Sequence, residues 1–234
     1  MVTMPVKSSV AVVLAVKALD AAKSRLSQEV PSDVQRREVV AAMLADTMAA
    51  VRGAEVKRFT VVSPDPAVHR LAQEFGGLGI DEPALISGLS PLNTALLTGI
   101  AASAATADLA AALQADLAAL DTPTLRQALA AARTAIDSGA PAAFVADRSG
   151  EGTALLVVRT SGPLTPRFGP GSAAAHRAAG AVELDPNRLQ WPRLRTDVDT
   201  PEDLATAREL GLGPRTAAAL EGSNRHARET KPAS

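Results

Sequence analysis

The chain has no cysteine among its 234 residues, which excludes disulfides, thiolate nucleophiles and cysteine-ligated zinc and agrees with a reducing cytoplasm. Tyrosine is absent too, and the only aromatic residues are Phe59, Phe75, Phe144, Phe168 and Trp191. Single-stranded nucleic-acid binders stack bases on such side chains, so nucleic acid is not an expected partner. Charge of one sign is also missing: 24 Lys and Arg stand against 25 Asp and Glu. With no net field to gather a polyanion or an anionic membrane, any anion site has to be local. Histidine is limited to His69, His176 and His226, and neither Gly-x-Ser-x-Gly nor His-Glu-x-x-His occurs, so hydrolase chemistry has little support. The apolar run after Lys7 is broken by Lys17 and carries no cleavage signature. A cytoplasmic protein is therefore expected rather than a secreted one.

What is present starts with that run. Val10, Val12, Val13, Leu14 and Val16 lie within seven positions, too short for a membrane span and too β-branched for a typical helix, so a buried strand is expected. Lys17, Lys23 and Arg25 follow it closely. Cations in the loop leaving the carboxyl end of a strand suit a phosphate-bearing ligand, because open α/β sheets bind ligands in that crevice. By itself, the segment reads equally as a solvated basic turn.

The order of elements supports the first reading. Ser32 with Gln35 makes a capping box for a helix carrying Val40, Met43, Leu44, Met48 and Val51, with Gly53 as its stop. Phe59 to Ser63 is a second strand, Pro66 to Phe75 a short helix and Leu78 to Ile80 a third strand. Glu82 to Ser90 is a loop before a helix that opens at Pro91. Between Ala101 and Leu120 propensity favours one long alanine-rich helix, whereas the alternation of elements requires a strand at Asp108 to Asp116. Thr122-Pro123 starts a further helix, Phe144 to Asp147 and Thr153 to Val158 are strands, and a short helix follows Ser172. Leu194 to Thr196 reads as a strand ending in Asp197-Val198-Asp199, before a helix started by Thr200-Pro201-Glu202-Asp203. The fold class is α/β, a mainly parallel central sheet flanked by helices. Residues 1–220 form one domain in this reading, and the polar stretch 221–234 is a disordered tail.

Asp197 and Asp199 are two apart in an extended segment and share a face. Carboxylates so placed are costly without a cation between them, and Mg²⁺ suits because it takes hard oxygen ligands that it shares with phosphates. Asp116, if it ends the preceding central strand, completes the set. Taken one at a time, Asp199 is as well explained by helix-start chemistry and Asp116 by an exposed helical position. Glu151-Gly152-Thr153 and Phe168-Gly169-Pro170-Gly171-Ser172 offer backbone N–H groups and hydroxyls to a second anion, the sequence-neutral alternative being ordinary turns. A reaction between two phosphates whose nucleophile is already ionised needs charge neutralisation and alignment rather than a general base.

These segments resemble a known family. LAVKALDAAKSRL (14–26), PLNTAL (91–96), LQADLAAL (113–120), FVADRSGEGTALL (144–156), RFGPGSAAAH (167–176) and DVDTPEDL (197–204) are similar to the phosphoenolpyruvate/2-phospho-L-lactate guanylyltransferases of coenzyme F-420 biosynthesis, the actinobacterial phosphoenolpyruvate type most of all. The resemblance spans nearly the whole chain. It implies a single Rossmann-like nucleotidyltransferase-A domain that transfers GMP from GTP to the phosphate of a small phosphorylated acid, with two Mg²⁺ ions. The product would be handed to the next transferase of the pathway. By position it implies Asp116, Asp197 and Asp199 as metal ligands, with Asp116 catalytic. Lys17, Lys23 and Arg25 hold the triphosphate, Pro91, Leu92, Asn93 and Thr94 lie against the guanosine, and Thr153, Gly169 and Ser172 contact phosphoenolpyruvate. Ala115 replaces a usual Gly and Ala118 a common Pro, and the Ala115 methyl is expected to crowd a phosphate. The rival readings are 2-phospho-L-lactate as acceptor, a molybdenum-cofactor or sugar-phosphate nucleotidyltransferase, which shares DVDTPEDL but has Gly-Gly where Ala15-Val16-Lys17 stand, and a silent nucleotide-binding protein.

Overall fold

The valine-rich run forms β1 (Val10–Ala15) in the interior of a seven-stranded sheet, next to the central β4, in the order β3-β2-β1-β4-β6-β5-β7. The structure, a computed structural model, describes residues 9–19, 23–54, 56 and 58–229, apart from the side chains of Ser24 and residues 224–229. Lys7, residues 20–22 of the first cationic loop and the His226 side chain therefore lie outside it. The remaining strands are β2 (Arg58–Val62), β3 (Leu78–Ile80), β4 (Leu109–Leu113), β5 (Ala142–Ala146), β6 (Thr153–Arg159) and β7 (Val182–Glu183). β1 pairs parallel with β2 and β4, β2 with β3, and β5 with β7. β6 runs antiparallel to both β4 and β5. Six strands thus point one way and β6 the other.

β1 lacks strict alternation because both its faces are covered. Val12 and Leu14 enter a cluster with Leu44 and Met48 of α1 (Asp33–Gly53), Val68 of α2 (Pro66–Glu74) and Leu125 and Ile136 of α4 (Thr122–Asp137). Val13 enters the opposite one, with Leu96 and Ile100 of α3 (Pro91–Ser103) and Ala173 of α5 (Ser172–Ala178). The alanine-rich 109–113 stretch is a fully buried strand. Its helix propensity yields to tertiary pairing on both sides, and its small side chains leave room for α3, whose Gly99 lies so close to Val13 that a Cβ there would collide with it.

A third cluster matters more for function. Leu26 and Val30, Met43 of α1, Ala118 and Ala119 beyond β4, Val198, and Leu204 of α7 (Pro201–Leu210) bury together. The three chain segments carrying the cations and aspartates are tied down at this one point.

Two expectations need correction. Leu194 to Thr196 is not a strand: Pro192 begins the one-turn helix α6 (Pro192–Arg195). β7 already occupies the sheet edge beside β5, and Arg195 bridges the strand ends instead, donating to the carbonyls of Ala146 at 2.6 Å and Asp185 at 3.0 Å. Nor does a tail begin at Glu221, since α8 (Pro214–Glu229) runs through it and Ser223 is buried, donating to Gln35 at 3.1 Å. This helix is capped from α1: the buried Asp46 carboxylate accepts from the N–H groups of Arg215 at 3.2 Å and Thr216 at 2.8 Å. Because the partner is remote in sequence, local apolar periodicity does not reveal the helix. Residues 230–234 lie outside the described part. Among the described residues no helix is long and apolar enough to cross a membrane.

Replacing Asp46 by Ala leaves the buried Thr216 N–H and hydroxyl, and the part-buried Arg215 N–H, without their acceptor. Unfolding free energy is expected to fall by on the order of 3 kcal/mol in a denaturant titration. An unchanged midpoint would contradict the capping role.

Candidate active site

β1 has β2 on one side and β4 on the other, and the chain crosses over differently to reach each, so a crevice opens at the carboxyl ends of β1 and β4. The Val16 N–H donates to the Val62 carbonyl at 2.9 Å before the chain turns away. Lys17 is then exposed, and Lys23 takes a left-handed conformation (φ 60°) as it enters the 3-10 turn Ser24–Gln28. Lys17 and Arg25 are both exposed, with no hydrogen bond or ion pair among the described residues.

Lys23 lies inward, its side chain 12% exposed. Its ammonium donates to Asp116 and, at 2.5 Å, to Asp199. Burial works against its charge, but the attraction of these two carboxylates outweighs burial and holds the ammonium above its usual pKa. The Val198 N–H donates to the Asp116 carbonyl at 3.2 Å, joining the two acidic segments through backbone as well. Asp197 is pushed up to about 7, first by burial, then by the neighbouring charges of Asp116 and Asp199, with Lys23 opposing. One oxygen of Asp116 is buried without any hydrogen-bond partner.

The three predicted aspartates are thus brought together, but Lys23 rather than open space lies between two of them. Among the described residues no group of three acidic or histidine side chains stands ready to hold a metal ion. The donor set nevertheless fits a hard cation: Asp116 has a buried carboxylate oxygen without a partner, and Asp197, raised first by burial and then by its acidic neighbours, would be relieved by added positive charge. The half-buried Ala115 methyl packs against the main core cluster.

On the other side of β4, the antiparallel course of β6 brings its first residue, Thr153, to this same edge. Gln114 joins the two halves, its side-chain amide donating at 3.3 Å to both the Thr153 carbonyl and the Asp197 carboxylate. The glycine turn before Thr153 does not offer its N–H groups to an anion as expected. Asp147 accepts from Gly150 at 2.7 Å and Gly152 at 3.0 Å, while the Ser149 hydroxyl takes the Glu151 N–H. It is an ordinary hairpin turn fixed by its own aspartate.

The Phe168–Ser172 segment differs. Gly169 and Gly171 have φ of 125° and 70°, a conformation that side chains resist, and the Ser172 hydroxyl is buried with no partner. Asn93, expected at the guanosine, is committed here instead: its carboxamide accepts from the Phe168 N–H at 2.7 Å and donates to the Phe168 carbonyl and the Ser90 hydroxyl, both at 3.0 Å. Thr94 is buried and accepts from Ile86. Of that segment only Pro91 and Leu92 remain exposed.

Sequence reasoning missed two residues at this edge. Gln114 stands two before Asp116, and His176 stands one helical turn after Ser172, spacings that place each pair on a common side. His176 is fully buried beside Phe144 and Phe168, and burial, followed by the charge of Arg167, pushes its pKa down to about 4. A cavity of about 450 Å³ between α1, α2 and Arg215 shares no residue with this edge.

Comparison with known proteins agrees with this geometry. Residues 10–216 match the model of the family described as guanylyl transferase CofC like. A phosphoenolpyruvate guanylyltransferase from Mycobacterium sp. (strain KMS) is 48% identical over 217 residues, 92% of this chain and 94% of that one. One from Mycolicibacterium smegmatis is 44% identical over 210 residues, 90% of each chain. Among solved structures, a putative nucleotide-diphospho-sugar transferase from Desulfovibrio desulfuricans superposes with a TM-score of 0.64 at 15% identity, covering 97% of this chain and 100% of that one. A cytidylyltransferase from Leptospira borgpetersenii gives 0.55 at 13% identity, covering 97% and 99%. These two likenesses concern the nucleotidyltransferase fold, whereas the family match and the sequence identities concern lineage: the chain belongs to the CofC-like guanylyl transferases.

Proposed function

We propose that this chain transfers GMP from GTP to the phosphate of phosphoenolpyruvate, giving enolpyruvyl-diphospho-guanosine and pyrophosphate, an early step of coenzyme F-420 biosynthesis. The observation that carries the reading is the gathering of Asp116, Asp197 and Asp199 around one lysine at the carboxyl edge of β1 and β4. Membership of a guanylyl transferase family and the names of relatives close to half identical support it.

Asp116, Asp197 and Asp199 would hold Mg²⁺, two ions in our reading, which supplies charge neutralisation between donor and acceptor phosphates when bound. The chain's own side chains supply the rest. Lys17 and Arg25, exposed and free of partners among the described residues, neutralise the triphosphate together with Lys23. Pro91 and Leu92 give the guanosine an apolar surface. Thr153, Gly169 and Ser172 hold the acceptor, whose phosphate oxygen is already ionised and loses no proton to the protein. That oxygen bonds to the α-phosphorus of GTP in line with the bond that breaks, and the electron pair of that bond leaves with pyrophosphate. The work of the site is alignment and charge compensation.

Phosphoenolpyruvate and 2-phospho-L-lactate differ in hybridisation at one carbon, a contrast that pocket shape distinguishes by about 1–3 kcal/mol. Incubating the protein with GTP, Mg²⁺ and each acid in turn, with mass analysis of the products, is expected to show pyrophosphate and the enolpyruvyl product with phosphoenolpyruvate. Turnover of 2-phospho-L-lactate alone would reassign the acceptor, and no product with either would contradict the reading.

Asp116→Asn removes the charge while keeping the shape. Turnover is expected to fall ~100-fold or more with the melting temperature little changed. Wild-type rates in that variant would take Asp116 out of the chemistry.

A further inference from the structure

His176 has no part in the scheme above, yet every polar atom of its ring is engaged. Nε2 accepts the backbone N–H of Arg167 at 3.0 Å. A ring nitrogen that accepts from an N–H must carry its lone pair, so the proton of the neutral imidazole sits on Nδ1. Nδ1 lies 2.9 Å from the Thr153 hydroxyl oxygen and therefore donates to it. The lone pair of Thr153 facing the histidine is thus used, and the hydroxyl's own hydrogen has no acceptor among the described residues.

The surroundings give that free hydrogen a direction. Ser172 precedes His176 by one turn on the same face of α5, and its hydroxyl is likewise buried and unpartnered. The intervening loop cannot drift, because Asn93 grips Phe168 by both N–H and C=O while His176 grips Arg167. Neither ring nitrogen of His176 is open to a substrate proton, so acid or base catalysis by this residue is ruled out by its own hydrogen bonds.

We propose that His176 is a positioning residue for the acceptor: by holding one tautomer it commits the Thr153 hydroxyl to donating, so that Thr153 and Ser172 together present two O–H donors to an anionic oxygen of the small phosphorylated acid. The inference rests on the acceptor site proposed above. It explains why a histidine is buried between two phenylalanines, where a leucine would pack without a desolvation cost.

Two variants separate the ring's functions. In His176→Gln the side-chain oxygen can take over the Nε2 role toward Arg167, leaving Thr153 without its donor. In His176→Asn the amide N–H falls near the Nδ1 position and can still donate to Thr153. With GTP and phosphoenolpyruvate as substrates, the Gln variant is expected to raise the acceptor KM about 10-fold or more while kcat and the GTP KM stay within about 3-fold. The Asn variant is expected to recover most of that loss. In a Thr153→Val background the change to Gln should add nothing further, since the hydroxyl it acts through is gone. Nitrogen-15 spectra of the ligand-free wild type are expected to show Nε2 unprotonated, a readout that depends neither on turnover nor on the folding of any variant. A protonated Nε2, equal rises in both KM values, or effects of Thr153→Val and His176→Gln that simply add would each overturn the inference. Absence of wild-type turnover would instead count against the proposed function, with the spectrum still deciding the tautomer.

Discussion

The site depends on holding three carboxylates close together against their mutual repulsion. Packing does the holding: Leu26, Ala118 and Val198 are all buried in one satellite core. Each lies a few residues from a charged member of the site, Lys23, Asp116, or Asp197 and Asp199. Burial of those apolar side chains is worth about 1–3 kcal/mol each for the larger ones, enough to fix backbone positions that electrostatics alone would push apart. What packing cannot remove is the excess negative charge. Lys23 offsets part of it, and the charges of Asp116 and Asp199 add to burial in raising the affinity of Asp197 for a proton. A site in this state favours any arrival of positive charge, which is the condition a reaction between two phosphorylated molecules requires.

The single antiparallel strand has a matching consequence. Were β6 parallel to its neighbours, its first residue would lie at the opposite edge of the sheet, far from the aspartates. Running the other way, it delivers Thr153 to the carboxyl ends of β1 and β4, where Gln114 ties it to Asp197. The donor and acceptor halves are thereby connected through one side-chain amide, while Asn93 links the start of α3 to the loop before α5. Small shifts in one half are transmitted to the other through these neutral hydrogen bonds rather than through charge.

Legibility in the sequence followed the range of the interactions. β1, the N-cap at Ser32, the start of α4 at Thr122-Pro123 and the box at Thr200-Asp203 are local, and residue order alone showed them; Ser32 lacks the reciprocal half of the expected box because the Gln35 side chain accepts from Ser223 instead. The strand at Leu109–Leu113 was legible only because the alternation of elements overruled alanine's helix propensity. The course of α8 was not legible, since its cap is Asp46 from a distant helix. Neither was the helical turn at Pro192, whose stability comes from Arg195 reaching the ends of β5 and β7. Within the site, the acidic residues and Lys23 were readable from spacing. The hold of Asn93 on the Phe168 backbone was not readable, and Gln114 and His176 went unassigned, because a neutral polar residue carries no signature apart from its partners.

The central claim is that Asp116, Asp197, Asp199 and Lys23 form one electrostatic unit short of positive charge. It is tested most directly by following the side-chain carboxyl carbon resonances of the aspartates through a pH titration of the ligand-free protein. The account expects Asp197 to titrate at about 7, and higher still in Lys23→Met, where a nearby cation has been removed. If Asp197 titrates at about pH 4, the ordinary range for aspartate, and Lys23→Met leaves it unmoved, the groups are not coupled and the central claim is contradicted.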